Sequence, residues 1–187
     1  MNIKISNIAK LPTKYGDFKI QSFKENDKEH LVIFKEPLLN DVLLRIHSEC
    51  LTGDALGSLK CDCQAQLHHA LKLISKKNGM IIYLRQEGRG IGLFNKVNAY
   101  ELQDRGFNTI EANHQLGFET DLRNYEIVEY ILNYYKIKKI NLITNNPSKI
   151  KSLEKFEVLH RIPSITPKNQ YNLNYLEIKK ESLGHFL

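Results

Sequence analysis

RIHSECLTGDALGSLKCDCQAQ, residues 45–66, contains every cysteine of this 187-residue chain, namely Cys50, Cys61 and Cys63. Thiolates are soft ligands, and three of them in one short window suit zinc better than magnesium or calcium. The alternation in Cys-x-Cys directs Cys61 and Cys63 to the same side of an extended backbone. Structural zinc sites usually have four protein ligands, whereas catalytic sites have three and leave the fourth position to water. Three cysteines without a fourth therefore predict a hydrolytic zinc site.

Two other interpretations of this window remain open. In the first, the cysteines are buried free thiols, because free cysteine is among the most buried residue types. In the second, His47, His68 or His69 completes a closed, structural zinc site. The spacing thus indicates a metal ion more strongly than it indicates catalysis.

The residues before the first cysteine predict strands. Residues 1–35 favour an all-β portion, in which runs at 17–23 and 30–34 flank a polar hairpin turn. Residues 41–49 alternate apolar with polar side chains, so one face of this strand carries Arg45, His47 and Glu49. Thr52-Gly53-Asp54 favours a turn, and we expect the chain to bend just after Cys50.

After Cys63 the pattern becomes helical and then alternates between strands and helices. Apolar residues at helical spacing predict a helix that ends at Asn78-Gly79, with His68 and His69 off its apolar stripe and at the surface. A buried strand at 80–84 leads into the glycine-rich loop 85–92 and then a helix over 93–104. The loop favours a polar ligand, since glycines let backbone N–H groups approach an anion. Its spacing matches neither the P-loop nor the dinucleotide fingerprint.

The last part of the chain repeats the strand-to-helix pattern. Residues 107–123 predict an ordered polar loop, and 124–136 an amphipathic helix with Asn124 as its cap. A strand at 140–143 leads to Asn146-Pro147, a helix start that has Lys149 in its first turn and suits an anion. From about residue 158 we expect a short strand, a polar loop at 166–172 and a final helix.

These elements predict an α/β fold with a mixed β-sheet flanked by helices and an N-terminal antiparallel β portion. We expect one domain over 1–187, β-rich at 1–50 and α/β at 51–187. Ligands of such sheets collect at the carboxyl ends of strands. Three predicted strand ends, at 49–50, 85–89 and 144–149, are therefore grouped into one site.

Composition indicates which partners the protein can bind and in which cellular compartment it lies. The net charge of +6, with 27 basic and 21 acidic residues, suits nucleic acid or a small phosphorylated molecule. No apolar run approaches the roughly 18 residues that span a bilayer, so no membrane partner is expected. The start MNIKISNIAK lacks the apolar core of a signal peptide. An odd number of closely spaced cysteines argues for a reducing compartment, and a cytoplasmic location is predicted.

Four long motifs, together with Gly184-His185 at the end, resemble the successive signatures of GTP cyclohydrolase II over nearly the whole chain. The motifs are RIHSECLTGDALGSLKCDCQAQL from residue 45, RQEGRGIGLFNKVNAYELQDRG from 85, NTIEANHQLGFETDLRNY from 108 and TNNPSK from 144. Enzymes of that family open the imidazole ring of GTP and release C8 as formate. They also release pyrophosphate and give 2,5-diamino-6-ribosylamino-4(3H)-pyrimidinone 5′-phosphate, in the first committed step of riboflavin synthesis.

The resemblance implies a role for each matched residue. It implies that zinc, one ion per subunit, is bound by Cys50, Cys61 and Cys63, that Asp121 is a proton acceptor, and that Tyr100 and Arg123 act in catalysis, Arg123 as a nucleophile toward the α-phosphorus. It implies GTP contacts by Arg45, Ile46, His47, Ser48, Glu49, Gln66, Glu87, Gly88, Arg89, Thr109, Thr144 and Lys149. It further implies magnesium with the triphosphate, a homodimer and no nucleic acid. Lys60 and Gln64 depart from the arginine and glycine that are frequent there, which predicts only a tuning effect.

Physical chemistry qualifies two of these roles. Arginine is rarely deprotonated and is a weak nucleophile, so electrostatic stabilisation of the phosphoryl group by Arg123 is the less demanding role. Three thiolates around a doubly charged ion leave an excess of negative charge, which we expect Arg45, His47 or Lys60 to offset. The triphosphate requires several donors, and Arg85, Arg89, Arg123 and Lys149 are the candidates.

Two other classes of function compete with this one. A non-catalytic nucleotide-binding protein would keep the scaffold without turning GTP over. A basic zinc protein that binds RNA or DNA would need a basic stripe interleaved with exposed aromatic residues. The arginines of this chain lie beside carboxylates and glycines instead.

Overall fold

An eight-stranded mixed sheet forms the centre of the fold in a computed structural model that describes residues 2–187. In chain order the strands are β1 (Ile3–Ile5), β2 (Ala9–Thr13), β3 (Gly16–Glu25), β4 (Lys28–Lys35), β5 (Asp41–Ser48), β6 (Gly79–Leu84), β7 (Lys139–Ile143) and β8 (Glu157–Ile162). Their order across the sheet is β1-β3-β4-β6-β5-β7-β8, and β2 also pairs with β3. The predicted α/β fold with a mixed sheet is confirmed.

Seven helices and one 3-10 turn connect or cover the strands in the described residues. The helices are α1 (Leu51–Asp54), α2 (Cys63–Lys77), α3 (Gly92–Asp104), α4 (Thr109–Gln115), α5 (Glu126–Tyr134), α6 (Pro147–Lys151) and α7 (Leu173–Glu181). The 3-10 turn, Glu87–Gly90, lies between β6 and α3. None of the helices in residues 2–187 has the length and apolar character needed to cross a membrane.

The N-terminal strands are antiparallel, as predicted. β3 and β4 form the expected hairpin, in which Glu25 pairs with Lys28 and Asn26 takes a positive φ of 53° in the turn. β4 then pairs antiparallel with β6 and joins this portion to the rest of the sheet.

The later strands are parallel, and this decides where the site lies. β6, β5, β7 and β8 run in the same direction, with Leu44 of β5 opposite Met80 of β6 and Leu142 of β7. The carboxyl ends of β6, β5 and β7 therefore meet at one edge of the sheet, where ligands of such folds bind.

Two apolar cores fill the two faces of the sheet. One contains Ile127, Val128, Ile131 and Leu132 of α5 against Val42, Leu44 and Ile46 of β5 and their neighbours. The other contains Ala70 and Ile74 of α2 against residues that include Leu43 of β5. The alternation of β5 thus directs Leu44 and Ile46 to α5, and places Arg45 and His47 on the face of α2.

Residues 107–123 contain a helix that the sequence interpretation missed. Asn108 accepts hydrogen bonds from the backbone N–H groups of Ile110 and Glu111, and the Glu111 carboxylate accepts from the N–H of Asn108, a complete capping box. α4 follows from this cap, so the expectation of a loop was wrong.

Two smaller expectations also need correction. α5 starts at Glu126 rather than 124, although Asn124 does accept a hydrogen bond from the N–H of Glu126 at 2.7 Å. His68 and His69 are half-buried rather than at the surface, and the His68 ring lies 5.2 Å from that of Tyr15.

Candidate active site

Three cysteine sulfurs converge beyond the carboxyl end of β5. The Sγ atoms of Cys50, Cys61 and Cys63 all lie within 4.8 Å of one another, and those of Cys50 and Cys61 are 3.7 Å apart. Zinc–sulfur bonds of about 2.3 Å in a tetrahedral site separate sulfurs by roughly 3.8 Å. The separation is far too long for a disulfide. The sulfurs therefore fit a tetrahedral metal ion.

The chain reaches this arrangement by reversing within one helical turn. Cys50 is the N-cap of α1, and the buried Gly53 on the same turn packs against the sulfurs. A Cβ atom at Gly53 would lie 2.8 Å from the sulfur of Cys61 and 3.0 Å from that of Cys50. The predicted bend is confirmed as a reversal, but it is helical rather than an open turn.

Asp54 holds the reversal in place. Its carboxylate accepts hydrogen bonds from the N–H of Cys50 at 3.1 Å and the hydroxyl of Tyr83 at 2.8 Å, and it contacts Nε2 of His47 at 3.1 Å. The Nε2 atom of His47 therefore has Asp54 as its hydrogen-bond partner. Among the residues that the structure describes, no histidine nitrogen or carboxylate joins the three sulfurs. The arrangement favours a site with an open position over a closed one.

Lys96 is a neighbour of the sulfurs that the sequence interpretation missed. Its Nζ lies 3.2 Å from the sulfur of Cys50 and 2.7 Å from Oε1 of Glu87, and its side chain is 9% exposed. Hydrogen bonds from the Cys61 and Cys63 thiols lower the pKa of Cys50, and the charge of Lys96 lowers it further.

The cations expected to offset the thiolate charge have other partners. Arg45 donates to the carbonyl of Ile143 at 3.1 Å and to the amide oxygen of Gln66. The Lys60 ammonium pairs with Asp104 at 2.6 Å and lies 5.0 Å from the centre of the Tyr100 ring.

A cleft beside the sulfurs contains nearly all of the substrate-binding and catalytic candidates. Those that line it are Arg45, His47, Ser48, Glu49, Gln66, Glu87, Gly88, Arg89, Tyr100, Thr109, Arg123, Thr144 and Lys149, together with the three cysteines. The three predicted strand ends thus form one site.

Ile46, Asp121 and Arg85 are the exceptions. The Ile46 side chain lies in the core facing α5, and only its carbonyl oxygen turns to the site, where it accepts from Nζ of Lys149 at 2.9 Å. Asp121 lies outside the lining, next to Arg123. Arg85 is 55% exposed and pairs with Glu49 at 3.0 Å instead of facing the cleft.

The cleft carries an excess of positive charge. Burial lowers the pKa of Lys149, and repulsion from Arg45, Arg123 and Lys179 lowers it further. Burial and then repulsion from Lys179, Arg123, Lys149 and Arg89 lower the pKa of His185 to about 3. Two guanidinium nitrogens, Nε of Arg45 and an Nη of Arg89, are buried without a hydrogen-bond partner. Cations that repel one another and keep free donors form a site for an anion.

The glycine-rich loop brings two of these cations together. Gly88 and Arg89 both have φ near 60°, and Gly90 packs so closely on Leu122 that a Cβ would lie 3.0 Å from the Leu122 Cβ. Leu122 also donates its N–H to the carbonyl of Arg89 at 3.0 Å. A side chain at Gly90 would separate the two segments, so the glycine holds Arg89 and Arg123 at the same cleft.

Asp121 and Arg123 form a two-point ion pair. Nε of Arg123 lies 2.8 Å from Oδ1 of Asp121, and an Nη contacts Oδ2. Burial acts to lower the pKa of Arg123, but the hydrogen bonds to Asp121, together with the electrostatic effects of Tyr125, Asp121 and Tyr175, outweigh burial and raise it. The guanidinium therefore remains protonated.

Tyr100 lies close to the sulfurs through Thr52. Its hydroxyl is 3.3 Å from Oγ1 of Thr52, which in turn lies 3.8 Å from the sulfur of Cys50. Burial raises the pKa of Tyr100 to about 12. Tyr100 is therefore a hydrogen-bond donor at neutral pH.

The C-terminal segment adds residues that the sequence interpretation did not assign. Nζ of Lys179 on α7 forms a buried ion pair at 2.8 Å with Asp62, the residue between Cys61 and Cys63. Asp62 also accepts from Gln66, whose amide oxygen accepts from Arg45. Tyr175 and His185 line the cleft as well. An aspartate inside Cys-x-Cys was the only sequence signal of this contact.

Comparison with known proteins agrees with the motifs. A family model described as GTP cyclohydrolase II matches residues 4–163. The GTP cyclohydrolase-2 of Campylobacter hominis is 64% identical over 187 residues, which cover 100% of this chain and 97% of that protein. Its counterpart in Campylobacter fetus subsp. fetus is 59% identical over 190 residues, with coverage of 100% and 97%. That of Helicobacter pylori (strain P12) is 55% identical over 189 residues, with coverage of 99% and 98%.

One solved structure resembles the fold remotely. A two-domain 3,4-dihydroxy-2-butanone 4-phosphate synthase from A. baumannii aligns with 89% of this chain at 18% identity and a TM-score of 0.46. The aligned part spans 40% of that protein's length.

Proposed function

The chain belongs to the GTP cyclohydrolase II family, and on that premise we propose that it is a zinc-dependent hydrolase of riboflavin synthesis. It opens the imidazole ring of GTP, releases C8 as formate and releases pyrophosphate. The product is 2,5-diamino-6-ribosylamino-4(3H)-pyrimidinone 5′-phosphate. Each bond that breaks, C8–N9, C8–N7 and the bond from the α-phosphorus to the bridging oxygen, consumes one water.

One observation carries the proposal. The three cysteine sulfurs, whose spacing fits a metal ion, line the same cleft as Arg45 and Arg89. Each of these arginines keeps a guanidinium nitrogen without a hydrogen-bond partner. Ring opening requires an activated water, and triphosphate binding requires several positive donors. The cleft brings both requirements within the reach of one nucleotide.

Cys50, Cys61 and Cys63 would hold the zinc, one ion per subunit. When bound there, zinc supplies Lewis acidity, which makes water a stronger nucleophile at neutral pH. Tyr100 contributes a protonated hydroxyl close to the sulfurs, and this hydroxyl would donate a hydrogen bond to the guanine ring.

The cationic side of the cleft would bind the triphosphate. Arg89 and Arg45 offer unpaired guanidinium nitrogens, and planar guanidinium groups bind phosphate oxygens by two bonds. The buried Lys149, a neighbour of Arg45, adds a donor that becomes fully charged when the phosphate binds. Magnesium binds together with the triphosphate and offsets the negative phosphate charge that these side chains do not neutralise.

Arg123 acts on the α-phosphoryl group by charge rather than as a nucleophile. Its ion pair with Asp121 raises its pKa, so a neutral guanidine is not available to attack phosphorus. In this assignment Asp121 orients the guanidinium, and water attacks the phosphorus. Asp121, which lies beside Arg123, would accept the proton of that water.

The remaining candidates would position the nucleotide. Ser48, Glu49, Gln66, Glu87, Gly88, Thr109 and Thr144 line the cleft, and His47 is held there by Asp54. Ile46 would contribute only its backbone.

The working form is proposed to be a cytoplasmic homodimer that binds neither nucleic acid nor membrane. α3 exposes Phe94 at 79% and Val97 at 54%, and the segment after α1 exposes Leu56 at 75%. Exposed apolar side chains mark a subunit interface where they form a contiguous patch. Sedimentation of the wild type and of Phe94→Glu tests this proposal: a dimer that becomes monomeric is expected.

Product analysis tests the proposed activity. The zinc-loaded protein is incubated with GTP and magnesium, and formate, pyrophosphate and the pyrimidinone product are measured together. We expect equal amounts of the three products, and none of the formate from Cys61→Ser. Nucleotide binding without any product would support the non-catalytic class instead.

A further inference from the structure

A buried ammonium group touches one of the three sulfurs. Nζ of Lys96 lies 3.2 Å from the sulfur of Cys50, and Glu87 binds the same ammonium at 2.7 Å. Glu87 is held in turn by the N–H groups of Leu51 at 2.6 Å and Gly88 at 2.8 Å. The ammonium is therefore fixed in position by groups from α1, the 3-10 turn and α3.

This contact answers a problem of charge. Three thiolates bring a charge of about −3 to an ion of +2, and an excess of negative charge weakens the ion as a Lewis acid. An N–H group that donates to a thiolate withdraws electron density from the sulfur and restores part of that acidity. Partners of this kind orient metal ligands and tune the metal.

We propose that Lys96 is a positioning residue of the metal centre, which donates a hydrogen bond to the Cys50 thiolate and offsets the excess thiolate charge. The inference rests on the proposed metal site. It adds a residue from α3 to a site whose cysteines lie just before α1, in the loop before α2 and at the start of α2. It also assigns Glu87 the task of holding the ammonium.

Lys60 provides a matched comparison. The ammonium groups of Lys60 and Lys96 lie at 5.0 and 5.6 Å from the centre of the same Tyr100 ring. Lys60, however, pairs with Asp104 and is 41% exposed, whereas Lys96 is 9% exposed and contacts sulfur. The two lysines therefore share a neighbourhood and differ in the contact that the proposal invokes.

The test compares metal binding by the wild type, Lys96→Met, Lys96→Arg and Lys60→Met. Zinc affinity is measured by competition with a chromophoric chelator, and the thiolate-to-metal charge-transfer band is recorded on the cobalt(II) forms. We expect Lys96→Met to lose about 10- to 100-fold in zinc affinity, because the Cys50 sulfur loses the contact that orients it and this loss outweighs the gain in electron density. Its cobalt band should move to longer wavelength, because a sulfur without the hydrogen bond gives up an electron more easily.

The controls separate tuning from packing. Lys96→Arg should recover most of the affinity and the band position, and Lys60→Met should leave the band unmoved. If Lys96→Met fails to fold, Lys96→Gln repeats the measurement with a neutral side chain that still solvates Glu87. A merely structural role would lower the melting temperature and leave the cobalt band in place, which would overturn the inference.

The same experiment distinguishes two kinds of failure. A wild-type protein that binds no zinc or cobalt at all would sink the metal site and, with it, the proposed function. A wild type that binds metal, beside a Lys96→Met variant with the same affinity and band, would sink only the role of Lys96.

Discussion

The three cysteines leave no room for a side chain at Gly53. A Cβ atom at this position would meet sulfurs at 2.8 and 3.0 Å and the Cβ of Cys63 at 3.1 Å. The backbone of Gly53 is helical, so alanine is acceptable there on conformational grounds. Any cost of a side chain is therefore a cost to the sulfur arrangement.

Gly53→Ala should separate the sulfurs and weaken metal binding while the sheet stays folded. Overpacking of this kind costs about 1–3 kcal/mol. Metal content after gel filtration and the urea midpoint are the measurements, with the exposed Lys72→Ala as control. Full zinc content in Gly53→Ala would contradict the proposed arrangement of the ligands.

Arg123 offers a second test at this scale. Arg123→Gln removes the charge and should slow pyrophosphate release about 100- to 1,000-fold, as loss of a donor to a developing charge does. Arg123→Lys keeps the charge and should retain a substantial part of the rate. Single-turnover pyrophosphate release measures both, with the exposed Arg105→Gln as control. A trapped phosphoryl–arginine adduct would refute the electrostatic role.

The three strand ends that meet at the cleft, at 49–50, 85–89 and 144–149, could be predicted from the residues, because each follows a strand that the apolar pattern reveals. The other cleft residues, such as Tyr100 and Arg123, came only from the resemblance. Lys96 could not be predicted. A lysine on an amphipathic helix is normally solvated, and only the path of the chain after β5 brings Cys50 within 3.2 Å of it. Asp62 was missed for the same reason, since its partner Lys179 is 117 residues away.

At the scale of elements, α7 has a larger role than its short sequence suggests. Its Lys179 forms the buried ion pair with Asp62, which lies between Cys61 and Cys63. The following residues extend the contact, because Phe186 donates its N–H to the carbonyl of Asn145 at 2.9 Å. α7 therefore fastens the C-terminal segment to the loop that carries Cys61 and Cys63.

Lys179→Gln should release this segment. Removal of one partner of a buried ion pair costs about 3–5 kcal/mol, because it leaves Asp62 charged and unpaired. Lys180→Gln, at the exposed neighbouring position, should cost nothing measurable. Urea unfolding and limited proteolysis of residues 164–187 compare the two variants. Equal stability and equal protease resistance would mean that the ion pair does not dock α7.

α4 illustrates why an element can be missed. Its seven residues, Thr109–Gln115, contain little apolar periodicity, and many polar side chains suggested a loop. The Asn108 and Glu111 capping box was present in the sequence as a local signal. The segment is therefore helical rather than a loop because of its cap and its packing against α3. Neither feature can be read from an apolar pattern.

For the whole molecule, buried histidines predict how stability depends on pH. Burial, together with Lys28 and Arg85, lowers the pKa of His30 to about 4, although Glu25 lies 3.7 Å from it. His30 therefore binds a proton near pH 6.5 in the unfolded chain, but only near pH 4 in the folded chain. The stability from a neutral His30 is thus complete above pH 6.5 and is lost as the pH falls toward 4.

His30→Gln should flatten this dependence. Between pH 7 and pH 5, His30 should cost the wild type about 2 kcal/mol of unfolding free energy that the variant does not lose. Glutamine can still accept the hydrogen bond that the N–H of Arg85 donates to His30. Urea unfolding at the two pH values measures the difference, with the exposed His160→Gln as control. Parallel pH profiles for wild type and His30→Gln would show that His30 does not carry the effect.

The three scales meet in the open three-sulfur site, and X-ray absorption at the zinc edge of the purified, zinc-loaded protein tests it most directly. The account predicts three sulfur neighbours at about 2.3 Å and one oxygen, without the outer-shell scattering of an imidazole. A fourth sulfur, an imidazole pattern or the absence of bound zinc would contradict it.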